Sequence, residues 1–300
     1  MIAKGQTITE QSGGYTQYHG FGVCSVLAVN PTKEELEKNF GIKVEKEPEY
    51  TSSREYDGVS YNTARITFYV KPTDEKIPVL TVSFNLTNRE ITNKDKTKKQ
   101  VIDRFGRTAW VTNEDFEKKN IPLDRNGNPL RIDADYRPCI SGEENLTKFI
   151  KTFLGIPNTE VWNNDLNKYV PREDLSMCLI RLDTLDVIIN KGDLKEIKEA
   201  MFTKETKDNL IKIMFGARQD PEGRMFQSFY PEEFLSGRSN EKSEKRFMNN
   251  LIKRKEESST YSLYYFDPNP IHEFFFKPEK IFDNPDIPAN IKSEEDDLPF

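Results

Sequence analysis

The chain has 300 residues, a net charge of −6, 35% apolar residues and 31% charged ones. Its 20 Phe and 12 Tyr are too many aromatics for a disordered chain. That length allows one elaborated domain or two. The first residues, Met1 to Thr7, lack the apolar segment of a secretory signal, and no run approaches the roughly 18 apolar residues of a membrane span. A soluble cytoplasmic protein without membrane contact is expected. Cys24, Cys139 and Cys178 are odd in number and far apart, so they read as small core residues, not as a disulfide framework or zinc ribbon.

Residues 1–20 are polar and glycine-containing and read as an N-terminal arm. Its aromatic cluster Tyr15, Tyr18, His19 and Phe21 has two readings, a stacking arm for bases or an anchor onto the fold. A first strand is expected over Val23–Val29. A short helix follows from Asn30-Pro31-Thr32, with Asn30 or Thr32 as cap and Gly41 as stop. Alternating Ala64, Ile66, Phe68 and Val70 predict a strand, and Val79–Leu86 predicts the next. Phe68 and Tyr69 then point to opposite sides, one into the core and the other free to stack on a base. A further strand is expected through Val101–Val111, with Gly106 as a candidate bulge. Leu146, Phe149, Ile150, Phe153 and Leu154 fall at helical spacing. Beyond them, Leu182–Ile189, Met225–Tyr230 and Tyr261–Phe276 carry strand-type residues, whereas Gly192–Ala200 and Lys204–Phe215 look helical. Phe274, Phe275 and Phe276 are assigned to the core.

Charge is unevenly distributed. Residues 283–300 hold six carboxylates and one lysine, and their composition predicts a disordered acidic tail. Between Arg89 and Arg107 the sign reverses, with seven basic residues against three acids. Single-strand binders need cations that follow phosphates and flat side chains on which bases stack. Candidate contacts are therefore Arg89, Lys94, Lys96, Lys98, Lys99, Arg104, Phe105, Arg107 and Trp110, with Tyr15, Tyr18 and Tyr69 as further aromatics. The lysines are expected in a strand-connecting loop able to close over a groove. A solvated lysine loop followed by a core Trp is the plainer alternative.

The end of the chain, Glu294-Glu295-Asp296-Asp297-Leu298-Pro299-Phe300, sets four acids before an apolar terminus, a composition suited to an exposed peptide hook. It resembles the tip of the bacterial single-stranded DNA-binding proteins, an acidic run followed by Ile-Pro-Phe, with Leu298 in place of Ile. The resemblance implies that these residues bind replication and recombination proteins such as polymerase, primase, helicase or recombinase. The body is longer than that family's domain and lacks its Gly/Gln-rich linker, so tetramer formation is not implied. It is more similar to the larger single-strand binders of tailed phages around Val26–Leu36, Phe105–Trp110 and Tyr136-Arg137-Pro138. That likeness implies a phage replication protein in a host bacterial cytoplasm.

Pattern and resemblance together give an α+β, mainly β fold: an elaborated OB-like barrel with additional helices and strands. Its core is expected at about 21–140, its elaborating region at about 141–282, and its tail at 283–300. The expected function is non-enzymatic, sequence-tolerant binding of single-stranded DNA. A phage structural or adaptor protein that uses the tail for contact is one alternative. A metal-dependent nuclease using Asp133, Asp135, Glu143 and Glu144 is another. His19 and His272 have no ligand spacing, no phosphate loop is present, and no cofactor is expected. Asp124–Asp135 resembles a calcium loop, but Pro129 stands where that loop needs glycine, and a hairpin turn at Asn126-Gly127 is the simpler reading.

Overall fold

The computed structural model describes residues 18, 20–75, 77–103, 106–124, 126–130, 132–155, 160–163, 168–171, 182–219, 225–257 and 264–265. Along the chain, β1 (Gly20–Val29) leads into α1 (Lys33–Phe40), followed by β2 (Thr51–Tyr56), β3 (Val59–Pro72) and β4 (Leu80–Glu90). Next come β5 (Lys98–Ile102), β6 (Thr108–Thr112), α2 (Asn113–Lys118), β7 (Arg137–Pro138), β8 (Ile140–Ser141) and α3 (Glu143–Phe153). β9 (Glu160–Asn163), β10 (Lys168–Pro171), α4 (Leu182–Lys191) and α5 (Lys195–Met201) follow. The remaining elements are β11 (Ile211–Gln219), β12 (Met225–Phe229), β13 (Leu235–Ser236), α6 (Glu241–Glu257) and β14 (Tyr264–Tyr265). The fold is mixed α+β, and every strand pairing described is antiparallel. Among the described residues no helix is long and apolar enough to cross a membrane.

Two compact units interleave along the chain. Of the described residues, those up to Glu49, Thr67–Ser83 and those from Asp208 onward form one, and Tyr50–Ile66 with Phe84–Lys207 form the other. In the first, β1 lies between β11 and the C-terminal part of β3. The α1 boundaries follow from its ends. Thr32 accepts the Glu35 N–H at 3.2 Å while Glu35 accepts the Thr32 N–H at 2.8 Å, a reciprocal capping box. Gly41, at φ 66°, closes the other end. Asn30 is not the cap: its side chain accepts the Thr67 N–H at 2.6 Å.

Leu36 and Tyr69 are buried together, and the Phe40 ring stacks on Tyr69 at 6.3 Å. Phe68 is buried as well, so the expectation of a free Tyr69 is corrected: both sides of β3 are covered there. Tyr18 is corrected in the same way. Its backbone exchanges hydrogen bonds with the Gln227 side chain at 2.7 and 2.8 Å, and its ring meets Phe215 edge-on. Tyr18 is an anchor, with no face left for a base. On β11's unit, α6 supplies Phe247, whose ring packs against Phe21 and Tyr230.

In the second unit, α3 forms where helical spacing predicts it, burying Leu146, Phe149, Ile150 and Phe153. Each such side chain contributes about 1.5–3 kcal/mol, which outweighs the modest propensity of the helix itself. Phe149 meets Phe84 of β4 at 5.4 Å. Ahead of α3, Gly142 sits at φ 85° beside β4, where a Cβ would lie 2.0 Å from the Asn85 carbonyl oxygen.

Three sequence expectations change. Leu182–Ile189 is helical, as α4, because its Leu and Ile side chains also satisfy helical spacing and Leu185, Ile188 and Ile189 pack on one side. Lys204–Phe215 holds no helix: a turn at 204–208 follows α5, and Ile211–Phe215 begins strand β11. Val101–Val111 is two strands, since the chain reverses at Asp103–Arg107 and Gly106, at φ 71°, belongs to that turn and is not a bulge. Met225–Phe229 and Lys195–Met201 form the expected strand and helix. Of the expected strand at 261–276 only Tyr264–Tyr265 is described, and the Phe274–Phe276 core assignment lies outside the described residues. Cys24 and Cys139 are buried core thiols, as expected.

Gly142→Ala meets both the positive φ and the Asn85 carbonyl. It should lower the unfolding free energy by more than about 1 kcal/mol, measurable as a reduced urea midpoint with an unchanged slope.

Candidate nucleic-acid interface

β2 and β3 are joined by Asp57 and Gly58, at φ 51° and 74°, the two-residue hairpin turn whose twist suits antiparallel strands. The turn fixes the register: Tyr56 opposes Val59, Arg54 opposes Tyr61 and Ser52 opposes Thr63. Thr63 in turn bonds Thr87 of β4, hydroxyl to hydroxyl at 3.2 Å, so the pair shares one side of the sheet. Counting by twos, Tyr61, Thr63 and Arg65 of β3 and Asn85, Thr87 and Arg89 of β4 lie on that side. Arg54 and Tyr56 of β2 join them.

Ring geometry agrees with this register. Tyr56 and Tyr61 stand 6.0 Å apart with planes tilted by 57°, and the Arg89 guanidinium lies 5.0 Å over the Tyr56 ring. Arg54 is exposed, and Tyr56, Tyr61, Arg65 and Arg89 are half-buried. Ala64 and Ile66, on the opposite side of β3, are buried. A surface of flat rings with guanidinium groups on a row of small hydroxyls can stack planar bases and meet phosphates.

Past Arg89, the chain runs through Ile91 and Asn93 into a tight turn. The Gln100 N–H donates to the Ile91 carbonyl at 2.8 Å and the Asn93 N–H to the Lys98 carbonyl at 3.0 Å, with Thr92 opposite Lys99. β6 then pairs on the far edge, Trp110 opposite Gln100 and Thr112 opposite Lys98. These pairings place Ile91, Asn93, Lys98, Gln100 and Trp110 on one side of the ribbon, the side on which Gln100 and Thr108 reach Glu144 of α3. The register of β4 shifts between Thr87 and Glu90, so this side does not continue the Arg89 row by alternation. Trp110 is 46% exposed, so the reading of it as a core Trp does not hold.

The lysine-bearing loop is an ordered turn and not a closing flap. The Asn93 side chain accepts the Lys98 N–H at 2.7 Å, and the Asn113 amide holds the Lys96 carbonyl at 3.0 Å. Lys94, Lys96 and Lys98 remain exposed. Lys99 faces the other way, 3.0 Å from Glu90 and 4.4 Å over the Phe116 ring, on the side that packs Val101, Ala109, Val111, Ile132 and Tyr136.

Arg107 is a brace, which corrects its assignment as a contact. Its guanidinium lies 2.7 Å from the Asp103 carboxylate, which also accepts the backbone N–H groups of Arg107 and Asp133 at 2.9 and 3.0 Å. The Asp103 side chain has no exposed surface, so it needs all of these partners. Arg137 plays the same part for the buried Glu143. Glu144 accepts from Gln100 at 2.9 Å and pairs with Lys148 at 2.8 Å. Burial pushes its carboxyl up, but Lys148 and the hydrogen bonds from Lys148, Gln100 and Thr108 outweigh that and hold it below its ordinary value.

At the calcium-like segment, Asp124 accepts the N–H groups of Asn126 and Asn128 at 2.8 and 2.9 Å, the hairpin turn expected there. Among the described residues no three His, Cys, Asp or Glu side chains converge on a metal-sized site. Tyr15, Arg104, Phe105 and the whole tip, Glu294 to Phe300, lie outside the described residues.

Arg54, Tyr56, Tyr61 and Arg65 escape the sequence reading, although Asp57-Gly58 between two tyrosines is a strong hairpin signal. Comparison with protein-family models, with curated proteins and with solved structures finds no match for this chain.

Arg107→Ala takes the guanidinium away from the buried Asp103 carboxylate and should cost about 3 kcal/mol of stability in urea unfolding. Glu144 contributes stability that is full above its ordinary pKa and lost as pH falls through the lowered folded value. Glu144→Gln should therefore flatten the acid side of the stability curve, checked by unfolding at a series of pH values.

Proposed function

We propose that this protein is a sequence-tolerant, non-enzymatic single-stranded DNA-binding protein built on an elaborated OB-like barrel. The observation that carries the reading is the cluster of Arg54, Tyr56, Tyr61 and Arg89 on one accessible side of the β2–β3–β4 sheet. Stacking favours the single strand because a duplex keeps the faces of its bases inside its own stack. It also tolerates any sequence, since every base has a π-face. Arginine suits the same surface, as a planar cation can meet a phosphate and lie against a ring. The net charge of −6 does not oppose this, because the excess acid is concentrated at 283–300 and the sheet side presents arginines.

The acidic tip supports the second half of the reading. Glu294 to Asp297 meet basic residues of a partner, Leu298 and Phe300 fill an apolar pocket, and Pro299 limits the entropy lost on binding. The partners are replication and recombination proteins, and the setting is a bacterial cytoplasm during phage DNA synthesis.

Fluorescence titration with poly-dT and a matched duplex tests the first half. Preference for the single strand is expected, with affinity falling with salt at a log–log slope of about −0.7 per phosphate contacted. Tyr61→Ala should weaken poly-dT binding by about 1–3 kcal/mol without lowering stability. Removal of Asp296–Phe300 should leave DNA binding intact and abolish capture of the partner. A chain that binds neither form of DNA would overturn the reading.

A further inference from the structure

We infer that the solvent-facing ridge of α6, formed by Lys242, Arg246, Asn249 and Lys253, binds the phosphate backbone of the single strand. This inference rests on the proposed single-strand reading and adds to it a site on the first unit. At about 100° per residue, these four positions fall within about 60° of one another around the helix. All four are exposed, and Phe247, Met248 and Leu251, turned away from them, are buried. From Lys242 to Lys253 the ridge rises about 17 Å, the rise of about five nucleotides along one strand.

Elsewhere on α6 the charges are matched. Lys245 pairs with Glu241 at 2.6 Å, Arg254 with Glu232 at 3.0 Å, and Glu244 turns inward to Lys212. On the ridge that pattern stops. Within the helix, the residues three and four positions from Lys242 are Lys245 and Arg246, and those from Arg246 are Lys242, Ser243, Asn249 and Asn250, with no acid among them. Among the described residues Lys242 and Arg246 make no ion pair. Two like charges at this spacing work against the helix. Asn249 and Asn250 are poor helix formers placed mid-helix and exposed, where Lys, Glu or Ala would favour the helix more. Both departures fall on the face that has no packing to do, and both suit a bound phosphate: the cations neutralise it, and the Asn249 amide can donate to its oxygens.

The chemistry of the ridge selects among polyanions. It offers no apolar residue to a peptide side chain, whereas an acidic hook such as Leu298-Pro299-Phe300 needs an apolar pocket. A phosphate backbone needs only cations and hydrogen-bond donors, and it presents its charges at regular spacing whatever its bases. The ridge therefore serves a sequence-tolerant ligand and adds affinity that salt weakens, while the tyrosines of β2 and β3 supply stacking.

The experiment measures the poly-dT affinity of the full chain over a salt series from about 50 to about 200 mM. Three double variants are compared: Lys242→Gln with Arg246→Gln, the charge-keeping Lys242→Arg with Arg246→Lys, and Lys43→Gln with Lys46→Gln, which removes two exposed lysines from the same unit. Each is first checked for an unfolding midpoint no lower than that of the full chain. Loss of two phosphate contacts on the ridge should make the log–log slope shallower by about 1.4, so the affinity deficit shrinks about 7-fold across the series. The charge-keeping and Lys43–Lys46 variants should retain the full chain's slope. If the glutamine variant of the ridge keeps that slope, or if the Lys43–Lys46 variant loses as much of it, the ridge inference is wrong and the single-strand reading survives. A synthetic peptide of residues 283–300 is titrated in parallel. A ridge variant that loses the peptide but keeps the DNA slope would show that the ridge holds an acidic segment instead, which also overturns the inference. If the full chain does not bind poly-dT, the single-strand reading falls and the ridge inference with it.

Discussion

A β-strand can offer only every second residue to one side, and along β3 that constraint separates an aliphatic row from one that carries tyrosine and arginine. Ala64 and Ile66 go to one side, while Tyr61, Thr63 and Arg65 go to the other, where Tyr61 and Arg65 are half-buried and Thr63 is covered. A slip of one residue would exchange the two rows and bury an arginine. The Asp57-Gly58 turn prevents the slip from one end, and the Thr63–Thr87 hydroxyl bond pins the pairing with β4 from the middle. The aromatic and cationic side of the sheet is thus a product of turn chemistry as much as of its own residues.

The arginines divide by role in a way that composition conceals. Arg107 and Arg137 neutralise the buried carboxylates of Asp103 and Glu143, and their charge is spent inside the fold. Arg54 and Arg89 stand beside tyrosine rings on the accessible side. The positive balance of residues 89–107 therefore overstates what reaches solvent there, and the side chains of β2 and β3 supply what that stretch lacks.

Helices with definite ends were the most legible parts of the chain. Thr32 with Glu35 and Gly41 mark α1, and the spacing of Leu146, Phe149, Ile150 and Phe153 marks α3. The run Leu182–Ile189 misleads because Leu and Ile residues close together fit a buried strand or a helix equally well, and only the packing of Leu185, Ile188 and Ile189 decides. Of the candidate surface, the sequence singles out Arg89, Lys98 and Trp110 because charge and aromatics are dense there. The β2 strand could not be read from apolar alternation, since Thr51 to Tyr56 holds no aliphatic residue and is exposed over most of its length. Tyr18 and Tyr69 show the opposite failure. Nothing local distinguishes an aromatic that stacks on a base from one that closes a core, and the deciding partners, Gln227 and Phe40, lie elsewhere in the sequence.

The brace at Asp103 closes the β5–β6 turn through the Arg107 guanidinium and N–H and ties it to the chain at Asp133 through a second N–H. A ribbon braced in this way would need little further ordering on the contact proposed for it, so little entropy would be spent there. If the surface binds single-stranded DNA as proposed, encounter would be limited by diffusion and by the local positive field, with the aromatic side chains acting on how long the complex lives. On the proposed single-strand reading, Arg54 and Arg89 would act on arrival and Tyr61 on residence time.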